Sequence, residues 1–464
     1  PKTKSESTRC LKKKTIVLVG FSRKNEIRAL TRERSRLVFG AVSAFVSFEP
    51  LQTGRRFFLL VLSALVVAPY RALAKRLAKG PLVYLTWRYD PTTTIVVNWM
   101  DGDARSNDYV MYRRLAAPAG SRWSLARGFK HLFADQKKRI VHHVELRGLQ
   151  PDTEYMFTIR SETSNRGGRY FKFRTLPRTL PANFRFVTGG DMMHKRKYLD
   201  AMNQRAAQLN PWFALLGGDL AYANASSKEV AKWDDWLESW MLNSVRKSDG
   251  CLIPMVVAIG NHEVAGGTGK KRKHAKYFYS LFPLPAKRSF YAMDFGDYLS
   301  LIVLDSNLTE RVEGEQTAWL GQALAKRAGK VPLIFPCYHK AAYGTAKPPK
   351  GTNDSSKGPL AQRIIRHWCP LFDKYRATAV FENDHHTYKR THRLRGNKVD
   401  KINGILYLGD GCWGVDTRAV PKPGKLWYLA KAASRRHLIC VTVQNGKPSY
   451  VAYEADGKVI DQYA

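Results

Sequence analysis

The sequence predicts two folded units in series, an all-β sandwich followed by a layered α/β domain. Three observations carry that reading. Residues 81–177 break into short alternating apolar stretches separated by turn residues, the rhythm of antiparallel strands packed in two layers. Beyond Pro181 apolar strands alternate with longer helical stretches, which implies sheets covered by helices. A hydrophobic fraction of 44% over 464 residues supplies core for both units and excludes a wholly disordered chain.

In the first unit, strands are expected at 82–88, 94–100, 108–114, 139–146, 155–160 and 170–176, where β-branched and aromatic residues gather. Asp90-Pro91, Asp101-Gly102-Asp103 and Asn165-Arg166-Gly167-Gly168 supply the turns between them. Trp87 and Trp99 sit on strands and read as core. In the second unit a helix is expected over 228–245, with Trp233, Trp236 and Trp240 on one buried face. Residues 360–376 also read as helical, and Pro370 should kink or break them.

Lys and Arg number 77 against 38 Asp and Glu, a formal net charge of +39. Such charge suits phosphates of any kind. No helix-turn-helix, zinc-finger or aromatic RNA-binding signature accompanies it, so no specific nucleic-acid partner is expected. Residues 1–79 hold 18 of the basic and 4 of the acidic residues, a net +14 that leaves +25 for the remainder. Within them Arg55-Arg56 precede Phe57-Phe58-Leu59-Leu60 and an apolar run to Ala68, followed by Ala72-Leu73-Ala74. Basic end, apolar run and Ala-x-Ala site are the order of an export signal peptide cut after Ala74. The paired arginines are similar to a twin-arginine signal. Residues 1–80 are therefore expected to be a basic leader, and the protein to be exported to the periplasm, the envelope or the medium. No bilayer-spanning apolar run follows position 80, so no transmembrane domain is expected in the mature chain. The cysteines at 10, 251, 337, 369, 412 and 440 form no Cys-x-x-Cys pair, which excludes zinc ribbons and thioredoxin-type motifs. They leave room for one or two disulfides.

The chemistry lies where apolar strands end. Strands at 184–188, 212–216, 254–259, 331–336 and 377–381 run into Gly189-Gly190-Asp191, Gly217-Gly218-Asp219-Leu220-Ala221-Tyr222, Gly260-Asn261-His262-Glu263, Cys337-Tyr338-His339 and Glu382-Asn383-Asp384-His385-His386-Thr387-Tyr388. Each offers a metal ligand, three of them directly after glycine. In open α/β sheets sites gather at the carboxyl ends of strands, and glycine lets the chain approach a centre closely. Carboxylates, amide, imidazoles and phenol form a mixed O/N set suited to iron, zinc or manganese. They exceed what one tetrahedral ion needs and point to two metal ions.

Gly218-Asp219-Leu220-Ala221-Tyr222, Gly260-Asn261-His262-Glu263, His339 and His386-Thr387-Tyr388-Lys389-Arg390 resemble the signature of the binuclear metallophosphoesterases. The tyrosine three residues after the second aspartate resembles the purple acid phosphatase branch in particular. Leu149-Gln150-Pro151-Asp152-Thr153-Glu154-Tyr155 resembles the tyrosine corner of fibronectin type III domains, which plant-type members carry ahead of the catalytic domain. The resemblance implies an immunoglobulin-like or fibronectin III-like sandwich over 81–178. It implies a calcineurin-like metallophosphoesterase domain over 182–464, a two-sheet β sandwich flanked by helices.

By the same resemblance, Asp191, Tyr222 and His386 would hold the first metal, Fe(III), and Asp219 would bridge to the second. Asn261 and His339 would hold that second, divalent ion (Fe, Zn or Mn). His262 would protonate the leaving alcohol, with Glu263 orienting it. The implied activity is an acid phosphatase that hydrolyses anionic phosphate monoesters by attack of a metal-bound hydroxide. A phosphodiesterase or nucleotide phosphohydrolase with the same metals is an alternative, as is a non-catalytic cell-surface binding protein with a decayed site.

Two departures stand out. The family's last motif, Gly-His-x-His-x-Tyr, has Asp384 in place of its first histidine. Extended alternation points Asp384 and His386 inward and makes Asp384 a ligand of the second metal, a hard one that favours manganese or magnesium over zinc. A slipped register would instead present His385. In the first motif Met193 replaces glycine; Met193 and His194 either shape the phosphate pocket or pack. Residues 340–357 read as a mobile loop near the site, with Lys340 or Tyr343 as candidate substrate contacts.

Overall fold

The computed structural model describes residues 80–102, 108–161 and 168–464; the expected leader and export signal lie outside them. Eight strands open the described chain: β1 (Leu82–Thr86), β2 (Ile95–Asp101), β3 (Asp108–Arg114), β4 (Ser124–Ala126), β5 (Phe129–Phe133), β6 (Gln136–Leu146), β7 (Glu154–Ser161) and β8 (Tyr170–Arg174). They form two antiparallel sheets, β1-β2-β6-β5 and β4-β3-β7-β8. The short strands β4 and β5 are absent from the sequence reading. Leu125, Phe129 and Leu132 stay about half exposed, and Phe133 alone is fully buried, which leaves no buried alternation to read.

Strand β2 is buried almost throughout, which explains its unbroken apolar run. One face of its sheet carries Tyr84, Asn98 and His143 side by side in register. That face meets the second unit: Tyr84 Oη donates to Leu281 O at 2.5 Å, and His143 Nε2 lies 3.2 Å from Ser280 O. Trp87 meets Phe295 and Phe213 edge-on at 5.8 and 6.3 Å. The backbone N–H of Gln150 donates to Tyr155 Oη at 2.9 Å, closing the tyrosine corner.

The second unit contains β9 (Phe184–Gly189), β10 (Ala214–Leu216), β11 (Met255–Val257), β12 (Tyr291–Phe295), β13 (Leu299–Val303), β14 (Leu333–Lys340), β15 (Ala379–Asn383) and β16 (Tyr388–Thr391). It continues with β17 (Leu394–Arg395), β18 (Lys398–Val399), β19 (Leu406–Gly409), β20 (Leu429–Ala433), β21 (Leu438–Gln444), β22 (Lys447–Tyr453) and β23 (Val459–Tyr463). One sheet runs β11-β10-β9-β21-β22-β23 and the other β12-β13-β14-β15-β19-β16-β20, with β17 and β18 forming a separate hairpin. The two sheets face each other through Phe186, Phe335 and Phe381, whose ring centroids lie 5.5–6.1 Å apart. Strands β9, β10 and β11 are mutually parallel, as are β13, β14, β15 and β19. Each parallel set thus gathers its carboxyl ends at one edge of its sheet.

Helices α1 (Arg196–Gln208) and α2 (Ala231–Asn243) pack together, and α2 also reaches β1. Trp233, Trp236 and Trp240 of α2 are fully buried, as their spacing requires. After α3 (Lys276–Leu281) and α4 (Glu315–Arg327), the expected helix over 360–376 appears as α5 (Pro359–His367) and α6 (Cys369–Lys374). Pro370 lies in the first turn of α6, where a missing N–H costs nothing. The five described cysteines are free and buried, so the room left for disulfides is not used among them. No described helix is long and apolar enough to cross a membrane.

Two predictions follow from the packing. Tyr84→Phe leaves Leu281 O buried without its donor and should cost about 1–3 kcal/mol, read as a lower midpoint in urea unfolding. His437, just ahead of β21, is buried, and burial holds its imidazole down to about 4. The unfolded chain then takes up a proton below about pH 6.5 that the folded chain refuses. Stability should fall as pH drops from about 6.5 to about 4, by roughly 3 kcal/mol in all. His437→Asn, which keeps a donor for Arg435 O, should make the loss of stability shallower by that amount in unfolding curves taken across the window.

Candidate metal centre

Five strand ends bring the candidate residues into one cleft. Asp191 follows β9, Asp219 and Tyr222 follow β10, and Asn261, His262 and Glu263 follow β11; His339 lies in β14, and Asp384 and His386 follow β15. Asp191, Asp219, Tyr222, Asp384 and His386 have φ between 54° and 79°, the left-handed region. Side chains other than glycine enter it at a cost of about 1–3 kcal/mol each, and the chain does so here at five site residues. Glycines clear the space between these turns. A Cβ on Gly217 would lie 1.9 Å from Asn383 Nδ2, and one on Gly260 would lie 2.2 Å from Asp219 N.

The donor atoms meet at two points. At the first, Tyr222 Oη donates to Asp191 Oδ1 at 2.9 Å, and His386 Nε2 lies 3.0 Å from each of those oxygens. At the second, His339 Nε2 lies 3.2 Å from Asp219 Oδ2, 3.1 Å from Asn261 Oδ1 and 3.6 Å from Asp384 Oδ1. Its Nδ1 donates to Gly217 O at 2.9 Å, which fixes the ring with Nε2 facing the oxygens. One atom each of Asp191, Asp219 and His339 fall within 4.8 Å of one another, so the two points adjoin through Asp219.

The electrostatics follow from burial. Burial opposes ionisation of Asp219, but His339 and His262 hold its carboxyl down to about 2. Burial, with Asp191 and Asp219 alongside, holds the Tyr222 phenol well above its ordinary range. Burial also works against a charge on Asp384, yet His339, Lys340 and Lys347 keep it well below the usual carboxylate range. Buried carboxylates packed this closely, with a phenol and two imidazoles turned onto them, are a donor set that fits cations.

Glu263 accepts the N–H groups of Asp219, Leu220 and Gly260 at 2.7–2.8 Å and does not touch the His262 ring. The orienting group is Asn224, whose Oδ1 accepts from His262 Nδ1, with the Tyr222 ring 4.2 Å away at 31°. Sequence reasoning passed over Asn224, two residues after Tyr222. His385 turns away from the cleft: its Nδ1 accepts from Ala346 N at 2.9 Å, and burial holds its imidazole down to about 3. Met193 is packed in the core, while the His194 ring sits 4.8 Å from that of Tyr222. Tyr343 is buried among Tyr407 and Tyr428 and bonds Asn397, away from the donor atoms. Lys340 and Lys347 both reach Asp384. The loop expected to be mobile begins with residues 341–345 buried.

A two-sheet sandwich whose parallel strand ends converge on carboxylates, imidazoles and a phenol has the metallophosphoesterase fold. The model of the purple acid phosphatase N-terminal domain matches residues 81–175. An uncharacterized protein of Mycobacterium tuberculosis (strain H37Rv) is 26% identical over 347 residues, 68% of this chain and 62% of its own length. Purple acid phosphatase 15 of Arabidopsis thaliana is 24% identical over 59% of this chain and 53% of its own. The chain therefore spans less than two thirds of the length of these curated relatives. Purple acid phosphatase PPD1 from yellow lupin (Lupinus luteus) seeds has the same fold: TM-score 0.68 at 18% identity, over 83% of this chain and 74% of that one. These likenesses are to purple acid phosphatases: in sequence over residues 81–175 and at 24% identity over a longer stretch, and in fold over most of the chain.

Glu263→Ala would leave three buried N–H groups of the Asp219 and Gly260 turns unpaired. It should cost about 3 kcal/mol or more, whereas Glu263→Gln, which keeps acceptor oxygen in place, should cost less. Thermal unfolding of the two variants checks the order.

Proposed function

We propose that this chain is an exported metal-dependent phosphatase that hydrolyses phosphate monoesters with two metal ions. The observation that carries the proposal is the pair of adjoining donor clusters joined by Asp219. Asp191, Tyr222 and His386 would hold one ion, taken as Fe(III). Asn261, His339 and Asp384 would hold a divalent one, with Asp219 between them. When bound, the ions supply Lewis-acid polarisation of phosphate and an activated water.

The chain's own residues do the rest. His339 is fixed by Gly217 O, and Glu263 braces the turn that presents Asp219. Asn224 takes the Nδ1 hydrogen of His262, which leaves Nε2 as the ring position that delivers a proton to the departing oxygen. Burial lowers the His262 imidazole and nearby Asp219 raises it, so its proton sits between opposing influences. Export, with cleavage after Ala74, rests on the sequence pattern of the leader, and the domain division at about 178–182 on the change in strand rhythm.

The test is metal content and visible spectrum of the purified full chain, with p-nitrophenyl phosphate assayed beside its bis-ester. Two ions and faster monoester turnover are expected; faster bis-ester turnover would favour the diesterase reading. A chain without metal, inactive after metals are added, would sink the enzyme. Asp219→Asn should lower kcat on the order of 10³-fold and release bound metal with it.

A further inference from the structure

Asp384 stands where the family has an imidazole, and two lysines come with it. Asp384 Oδ1 accepts from Lys340 Nζ at 2.6 Å and from Lys347 Nζ at 2.8 Å. That same oxygen faces His339 Nε2 at 3.6 Å. The atom that would complete the second donor cluster therefore already carries two ammonium groups. A neutral imidazole would attract neither of them; a buried carboxylate does. The two lysines are held differently. Lys340 extends from β14, and its backbone N–H donates to Ser306 Oγ at 2.8 Å. Lys347 has φ 61° on the loop beyond, with its side chain 38% exposed. Arg418 Nη1 donates to the Asp384 carbonyl at 2.9 Å, so the aspartate backbone has an anchor of its own.

We propose that Lys340 and Lys347 are counter-charges to Asp384 and couple filling of the second metal position to binding of an anionic phosphate group. The inference rests on the two-metal reading above. A divalent ion that coordinates Oδ1 must displace at least one ammonium group from it, and the charge of both opposes the ion. A phosphate group entering beside the ion gives those ammonium groups new oxygens to bond. Ion and phosphate then bind cooperatively, each raising the affinity for the other by the same factor. Lys347, on the more exposed stem, is the one free to move; Lys340 swings about a fixed backbone.

The experiment is calorimetric titration of the metal-free full chain with Mn²⁺, with and without inorganic phosphate, comparing wild type with K340M/K347M. Retained ions are counted by elemental analysis after desalting. Without phosphate, the variant should bind the second Mn²⁺ about tenfold tighter or more. Phosphate should tighten second-ion binding several-fold more in wild type than in the variant. Unchanged affinity for the first ion is the control for an intact fold. If the double variant does not fold, K347M alone carries the same comparison with a smaller shift. Second-ion affinity no tighter in the variant, or an equal phosphate effect in both proteins, overturns the coupling and leaves the two-metal reading standing. Uptake of no ion by either protein removes that reading, and the coupling with it.

Discussion

Asp219 is gripped from two neighbouring turns and from β14 at once, and that grip sets the geometry of the whole cleft. Its N–H donates to Glu263, its carbonyl accepts from Met192 N at 2.8 Å, and its Oδ1 accepts from His262 N at 2.7 Å. Its Oδ2 faces His339. The turns after β9, β10 and β11 are thus sewn together through one residue. Unit charges about 5 Å apart repel by roughly 3–4 kcal/mol at an effective dielectric near 20, and Asp191 and Asp219 approach that closely. Such a cluster stays folded because backbone N–H groups and histidines face it. The left-handed turns are the local consequence of pointing so many donors at one place.

A second polar network, deeper than the cleft, holds the lysine-bearing loop. Lys389 is fully buried and bonds Glu382 and Tyr343 O, with Asp410 Oδ1 at 3.5 Å. Glu382 also accepts from Tyr338 Oη and Ala342 N, and Asp410 accepts from Thr345 N and its hydroxyl. These bonds tie residues 342–345 to the ends of β15 and β19. A buried ion pair adds little net stability over a packed apolar core, but removing one partner is costly. Its value here is register: it fixes the stretch between Lys340 and Lys347 relative to Asp384.

The cluster of strand-end donor residues was legible because each follows an apolar run and three follow glycine, a pattern that survives without knowledge of the fold. Asp384 turns toward His339 and His385 away from it, but not by the alternation of an extended strand: β15 ends at Asn383, and Asp384 and His386 have φ of 79° and 59°. Asn224, Asn383 and Lys347 were not legible. Each is an ordinary polar residue in a polar stretch, and its importance comes from a partner far along the chain: residue 262 for Asn224, residue 338 for Asn383, residue 384 for Lys347. Glu263 shows the converse. It was expected to orient His262, whereas its buried carboxylate is committed to three backbone donors.

The same distinction bears on charge. A net +39 describes the chain at distances beyond a Debye length, about 8–10 Å in physiological salt, and there it favours approach of any anion. It says nothing about selection. Within the cleft the balance is local and far closer to neutral: Asp191, Asp219 and Asp384 against Lys340, Lys347 and the histidines. Long-range charge can therefore raise the encounter rate without discriminating among phosphates. Discrimination falls to the few groups that exchange partners at short range, and Asp384 with its two lysines is where such an exchange is built into the chain.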